Sequence, residues 1–327
     1  MKSMRSWYHL PALVAALGTT AAATPRAPLS PDGLWAPLPV RHVAVRGVDV
    51  AYVDSGGDKP PIVLVHGLSS YLGFWEYQIA SLAEDHRVLA LDLPGYGQSA
   101  RIDPDAGSWA HPGYTPPWYA DVVAGFLDAV GAPRATVVGH SMGGQIALTL
   151  ALAHPERVDA LVLSAPAGIE TFGAGEARWM KRYWTPQRAL DSTDVEVRAS
   201  FTQLVFNRQD AGTRRLLDER LRLGRHPAFA GTSLAVSRSI AGMLDYPVAA
   251  RLGEIRAPTL LIYGSDDRMI PNPVFTGGTT RAIAERGHRA IPGSTLVMIS
   301  GAGHTVHHDA PDAFDAAVRR FLTQVPR

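Results

Sequence analysis

The chain of 327 residues has no cysteine. That excludes disulfides, thiolate zinc sites and a cysteine nucleophile together. It says little about compartment, because oxidising and reducing surroundings both tolerate the absence. An excess of one charge is missing too. Its 31 Lys and Arg face 30 Asp and Glu, for a formal net charge of +1. Such balance gives no electrostatic reason to expect nucleic acid as a partner. Beyond the N-terminus no apolar run approaches the length needed to cross a bilayer, which is about 20 residues. No fixed-period repeat or low-complexity tract is present either. What remains is an ordinary globular composition, 46% hydrophobic and 19% charged. A chain of this length buries enough surface to fold without staples.

The N-terminus has a pattern of its own. Lys2 and Arg5 precede a short apolar run from Leu10 to Gly18, and small residues follow, including Ala21-Ala22-Ala23. A charged start, a short apolar stretch and a small-residue cleavage site are the parts of a secretory signal. Residues 1–23 are therefore expected to be a signal peptide and the protein to be exported, periplasmic or secreted. The alternative is an uncleaved N-terminal membrane anchor. Residues 24–40, rich in Pro and Ala, read as a linker.

From residue 43 to 53 apolar residues alternate around Gly47, as in a strand pair. Short runs apolar on both faces then follow at 62–65, 88–91, 136–138, 160–163, 260–263 and 295–299. Such runs suit a parallel sheet buried under helices. Helical spacing appears at 74–84, 117–130, 143–154 and 311–323. Strand and helix in alternation predict an α/β fold with an open, mostly parallel sheet and helices on both faces. The alternation stops near Gly168 and resumes near Leu260, and helical segments such as 195–206 and 214–223 lie between. The expected organisation is a core over 41–167, an inserted helical cap over 168–253, and the rest of the core over 254–327.

Gly139-His140-Ser141-Met142-Gly143 matches G-x-S-x-G, a turn that lifts a serine above a sheet. The motif alone is weak. Here a strand leads into it and a helix leaves it, which is the confirming context. Serine needs a base to take its proton. Of 12 histidines, His304 is best placed, after a strand and the turn Ser300-Gly301-Ala302-Gly303. His288, His307 and His308 read as solvated surface residues, and His66 as structural. The base needs an orienting acid. Asp266 or Asp267 could serve, since both follow the strand at 260–263. Two donors must face the developing oxyanion. The backbone N–H of Met142 and that of Leu68, in His66-Gly67-Leu68, are the candidates.

These motifs fall in one order. His66-Gly67, Asp92-Leu93-Pro94-Gly95-Tyr96-Gly97-Gln98-Ser99, Gly139-His140-Ser141-Met142-Gly143-Gly144, Gly264-Ser265-Asp266-Asp267 with Pro271, and Gly301-Ala302-Gly303-His304 with Pro311 resemble the α/β-hydrolase superfamily. The resemblance covers the chain from about residue 43 to the C-terminus, apart from the cap. It implies a triad of Ser141, Asp267 and His304, because in relatives the acid stands three residues after the glycine closing its strand. It makes Asp92 structural. A serine at position 141 sets aside members with an aspartate nucleophile, such as haloalkane dehalogenases and epoxide hydrolases. One departure is the stretch 275–292, which is longer than usual and holds Gly277-Gly278.

The reading this supports is a serine hydrolase, esterase- or lipase-like, whose partner is a small-molecule ester and which needs no metal or organic cofactor. The same triad on an amide or carbon–carbon bond is the alternative. A non-catalytic binding protein of this fold is a third, opposed by the presence of every triad member. No obligate protein partner is evident. In the cap, Arg178-Trp179-Met180-Lys181-Arg182-Tyr183-Trp184 joins aromatics to cations. It reads as a lid edge touching an acyl chain or lipid surface. The plainer reading, and the one favoured, packs Trp179 and Tyr183 into the core. Phe172, Met180, Trp184, Phe201, Leu204 and Met243 are candidates to line an acyl pocket.

Overall fold

The computed structural model describes residues 35, 38–105 and 109–325. The expected signal peptide, and all of the expected linker but residues 35 and 38–40, lie outside them. The strands are β1 (Arg41–Val45), β2 (Val48–Asp54), β3 (Pro61–Val65), β4 (Arg87–Leu91), β5 (Ala135–His140), β6 (Val158–Ser164), β7 (Thr259–Gly264) and β8 (Thr295–Ile299). They form one sheet in the order β1-β2-β4-β3-β5-β6-β7-β8. β1 and β2 are an antiparallel hairpin, and β2 pairs antiparallel with β4. All other pairs are parallel. The hairpin turn puts Arg46 at φ 47° and Gly47 at φ 84°. Two left-handed residues match the twist of the flanking strands, and glycine accepts that geometry without strain.

Burial follows the sequence pattern. Every residue of β5 and β7 is buried, and so are Ile62 to Val65 of β3. β8, at the sheet edge, is buried only at Ile299. The covering helices are α1 (Glu76–Leu82), α2 (Pro116–Ala129), α3 (Met142–Ala153), and, after the cap, α9 (Thr280–Ala290), α10 (Val306–Asp309) and α11 (Pro311–Leu322). α2 starts where Thr115 caps it and Pro116 takes the position that needs no N–H. α11 buries Phe314, Val318 and Phe321, three or four residues apart.

Between β6 and β7 the chain makes only helices: α4 (Ala174–Tyr183), α5 (Pro186–Leu190), α6 (Asp194–Ser200), α7 (Ala211–Leu223) and α8 (Phe229–Asp245) among them. The expected single helix over 195–206 divides. α6 runs into one wider turn of π-helix at Phe201–Val205. Such turns often mark functional positions. Polar bonds fasten these helices to the sheet domain. Gln145 Nε2 donates to Met243 O (3.0 Å) and Tyr246 O (3.1 Å), holding the end of α8. Glu219 of α7, fully buried, accepts from the Tyr71 hydroxyl, and Arg215 pairs with Glu76 at 2.5 Å. A charge that deep is tolerable only when so satisfied. Among the described residues no helix is long and apolar enough to cross a membrane.

Because β3, β5, β7 and β8 are parallel, the loops after them open on the same edge. The sheet order steps from β3 back to β4 and then across to β5. That reversal leaves a crevice at the strands' carboxyl ends. Asp92, just past β4, braces one wall. Its carboxylate accepts from Leu72 N (2.7 Å) and Gln98 N (2.8 Å) and is fully buried. This is the structural role expected for it. Burial raises its pKa from 3.8 to about 7, against the pull of those two N–H groups. The native state then holds a proton that the unfolded state has released. The resulting stabilisation is fully present below about pH 4 and is lost as pH rises to about 7. Urea unfolding of wild type should weaken across that window relative to Asp92→Asn. A constant gap between the two would refute the shift.

Candidate active site

Ser141 sits between the last residue of β5 and the first of α3, with φ 52° and ψ −116°. A non-glycine residue in this region is strained, and only rigid surroundings hold it there. Those surroundings are backbone. A Cβ at Gly139 would stand 2.3 Å from Gly143 O, and one at Gly143 would stand 2.3 Å from Val65 O. At Gly144 it would lie 2.5 Å from Pro166 Cβ. The three glycines are therefore spacers that let the elbow close against β3 and the loop after β6. Ser141 N also donates to Ser164 O at 3.0 Å, tying the elbow to β6.

His304 lies in the loop between β8 and α10 and is buried. Its Nδ1 is 2.9 Å from Asp267 Oδ2. A carboxylate accepts, so Nδ1 carries the proton and Nε2 is left with a lone pair. The other carboxylate oxygen of Asp267 accepts from Met269 N (2.8 Å) and Ile270 N (3.0 Å). Thr280, opening α9, donates to Asp267 O and Ile270 O. The long stretch 275–292 thus pins the Asp267 loop instead of disturbing it. Gly277 and Gly278 form an open turn before α9. Asp266 is exposed and bonded to the Ser265 hydroxyl.

Ser141 is joined to this pair through its neighbour. His140 Nε2 donates to His304 O at 3.1 Å, and the two rings are 4.9 Å apart. Ser141 Oγ itself makes no hydrogen bond among the described residues. Such contacts are commonly long without substrate and tighten in the complex. A Cβ on Gly67 would lie 3.3 Å from Ser141 Cβ, which sets the loop of Leu68 directly against the serine. Met142 opens α3 beside it. Neither the Leu68 nor the Met142 N–H donates to a carbonyl across turns and loops of the described residues.

The surrounding histidines differ from expectation in part. His66 is structural, as read. Its Nε2 accepts from Leu93 N at 3.0 Å and Nδ1 donates to Gly67 O at 2.8 Å. Burial lowers its pKa to about 4, so it stays neutral. His307 and His308 are not on the surface. Both are fully buried. His307 stacks on Trp75 at 3.9 Å and lies 4.8 Å from His140. Burial holds His140 and His307 well below the ordinary histidine range. With neutral rings behind it, His304 holds the acid contact of the crevice, while His308 faces Glu76 at 3.6 Å on the far side of the cluster.

Sequence reasoning missed Asp309. Its carboxylate accepts from Asn207 N (3.1 Å), Arg208 N (2.9 Å) and Gly303 N (2.8 Å). Thr305 also donates through N and Oγ1 to Val205 O. The loop of His304 is thereby clamped to the chain around the π turn of the cap. No spacing signals this, since Asn207 is 102 residues away in the chain.

Of the acyl-pocket candidates, Phe201 and Met180 are buried, and Phe201 packs on Phe74 and Phe206. Trp184 and Leu204 are exposed.

A sequence model of the alpha/beta hydrolase fold family matches residues 60–311. The dihydrolipoyllysine-residue acetyltransferase component of the acetoin cleaving system of Cupriavidus necator is 30% identical over 284 residues, or 85% of this chain and 67% of that protein. A 2-hydroxy-6-oxononadienedioate/2-hydroxy-6-oxononatrienedioate hydrolase of Burkholderia vietnamiensis is also 30% identical over 284 residues, or 84% of this chain and 90% of that one. Among solved structures, a hydrolase from Pseudomonas aeruginosa aligns with a TM-score of 0.69 and 26% identity, covering 87% of this chain and 98% of that one.

Two substitutions test the geometry. Gly143→Ala should cost about 3 kcal/mol through overpacking, read as a lower urea midpoint. An unchanged midpoint would remove the steric account. Asp309→Ala should release the His304 loop and lower turnover by about 10- to 100-fold. Full turnover in a folded variant would show the clamp to be idle.

Proposed function

The chain belongs to the alpha/beta hydrolase fold family, and on that premise we propose that this hydrolase cleaves carboxylic esters through an acyl-enzyme on Ser141. One observation carries the reading. A serine held in a strained left-handed elbow shares one sheet edge with a histidine whose Nδ1–H is fixed on Asp267. Fixing that proton leaves Nε2 as the base, and burial of Asp267 strengthens its hold on the imidazolium that forms.

The steps follow from the placement. Ser141 Oγ attacks the acyl carbon while His304 Nε2 takes its proton. The carbonyl oxygen becomes an oxyanion facing the N–H groups of Met142 and Leu68. Each such donor is worth about 10²–10³ in rate. The intermediate then expels the alcohol, which leaves with the proton from His304. Water, deprotonated by the same imidazole, attacks the acyl-enzyme and frees the acid. Every proton moves through residues of this chain.

Action on a carbon–carbon bond is the second reading. It is favoured by the likeness to the Burkholderia dioate hydrolase. In that case the same serine or a water it orients would attack a ketone carbon, and the leaving group would be a stabilised carbanion.

A fluorophosphonate probe should label wild type and not Ser141→Ala, and Ser141→Ala should lose about 10⁴-fold or more in ester turnover. Equal labelling of both proteins would sink the acyl-enzyme. A series of p-nitrophenyl esters separates the readings. Turnover that varies with acyl length supports the ester. No turnover, beside activity on a vinylogous diketone, supports the carbon–carbon bond.

A further inference from the structure

The cap carries an aromatic surface that none of the described residues covers. Trp179 is 50% exposed, Tyr183 40% and Trp184 39%. This overturns the core-packing reading of the segment. Trp179 and Tyr183, one helical turn apart on α4, stack at 4.9 Å with planes 9° from parallel. Tyr183 meets Trp184 edge-on, and Trp179 meets Phe275 at 5.4 Å. Phe275 belongs to the loop after Asp267, whose Val274 and Met269 are 47% and 38% exposed. Arg268 Nη1 donates to Gln203 O at 3.0 Å, which brings the π turn, with its exposed Leu204, beside the same loop. The ring cluster therefore reaches the loop that follows the buried acid.

Cations border it. Arg178 and Arg182 are exposed on α4, each one position before a stacked ring. The Arg188 guanidinium lies 5.7 Å from the Tyr183 ring centroid. Lys181 is engaged with Asp245, and Arg188 also with Glu196. A soluble surface rarely leaves this much contiguous apolar area bare. Indole and phenol rings beside arginines match the composition of segments lying in a bilayer interface. There the ring bodies enter the headgroup region and the cations meet lipid phosphate.

We infer that the face formed by Trp179, Tyr183, Trp184, Phe275 and the flanking Arg178 and Arg182 docks on an anionic phospholipid surface. Charge complementarity selects that occupant. Docking turns the Asp267 side of the site toward the membrane. The inference does not need the ester chemistry, so the two can fail separately.

The test is co-sedimentation of the full protein with phosphatidylglycerol and with phosphatidylcholine vesicles at about 0.1 M salt. Wild type and Ser141→Ala should both bind the anionic vesicles, at least about tenfold more tightly than the neutral ones. Trp179→Ala/Tyr183→Ala and Arg178→Glu/Arg182→Glu should each weaken binding about tenfold or more. Unchanged thermal midpoints would show those variants folded, since the side chains are exposed. Three results would overturn the inference: no vesicle binding by wild type, full binding by both folded variants, or a dimer by light scattering that the aromatic variant dissolves. The last would assign the patch to a second copy of the chain.

Discussion

Where β5 turns into α3, three glycines leave no room for a side chain of their own. Gly139 faces the carbonyl of Gly143, Gly143 faces that of Val65, and Gly144 faces Pro166. This crowding holds Ser141 at an angle that an unconstrained residue avoids. It also fixes the serine's distance from β3, whose following loop supplies Leu68, and from β6. The parallel alignment of β3, β5, β7 and β8 brings four loops to one edge. The elbow decides which atom stands highest there.

Electrostatics then divides the labour among similar groups. Five histidines lie buried near the crevice. His66 is committed at both nitrogens to backbone. His140 spends its proton on the His304 carbonyl, and His307 lies against Trp75. His308 faces Glu76 from 3.6 Å. His304 gives its ring proton to the buried carboxylate of Asp267. The same residue type thus meets backbone, ring or carboxylate, and what each nitrogen touches sets what it can do.

The sheet, its order of motifs and the turns that carry Ser141, Asp267 and His304 were legible because they rest on local signals. Strands buried on both faces read as continuous apolar runs, and tight turns need glycine. The choice between Asp266 and Asp267 came from resemblance to relatives. The structure separates them by burial, with one bonded to His304 and the other in solvent. His307 and His308 were misread because a polar side chain after a loop looks solvated in one dimension. Only the fold brings Trp75, Phe206 and Phe314 around them. The cap was harder for a related reason. Its helices carry arginines on several faces, and the exposed rings of α4 have the same helical spacing that core residues would have.

Asp309 has a consequence for how such enzymes diversify. One carboxylate accepts main-chain N–H groups from two stretches that are remote in sequence, and main-chain donors do not depend on side-chain identity. The joint therefore depends on the path of residues 207 and 208 more than on their side chains, although Asn207 Nδ2 also donates to Gly301 O at 3.3 Å. That path cannot change, because both amides must still point the same way. A foreign cap grafted onto this core would succeed or fail on the trajectory of that short strap, even where every pocket-lining side chain had been matched.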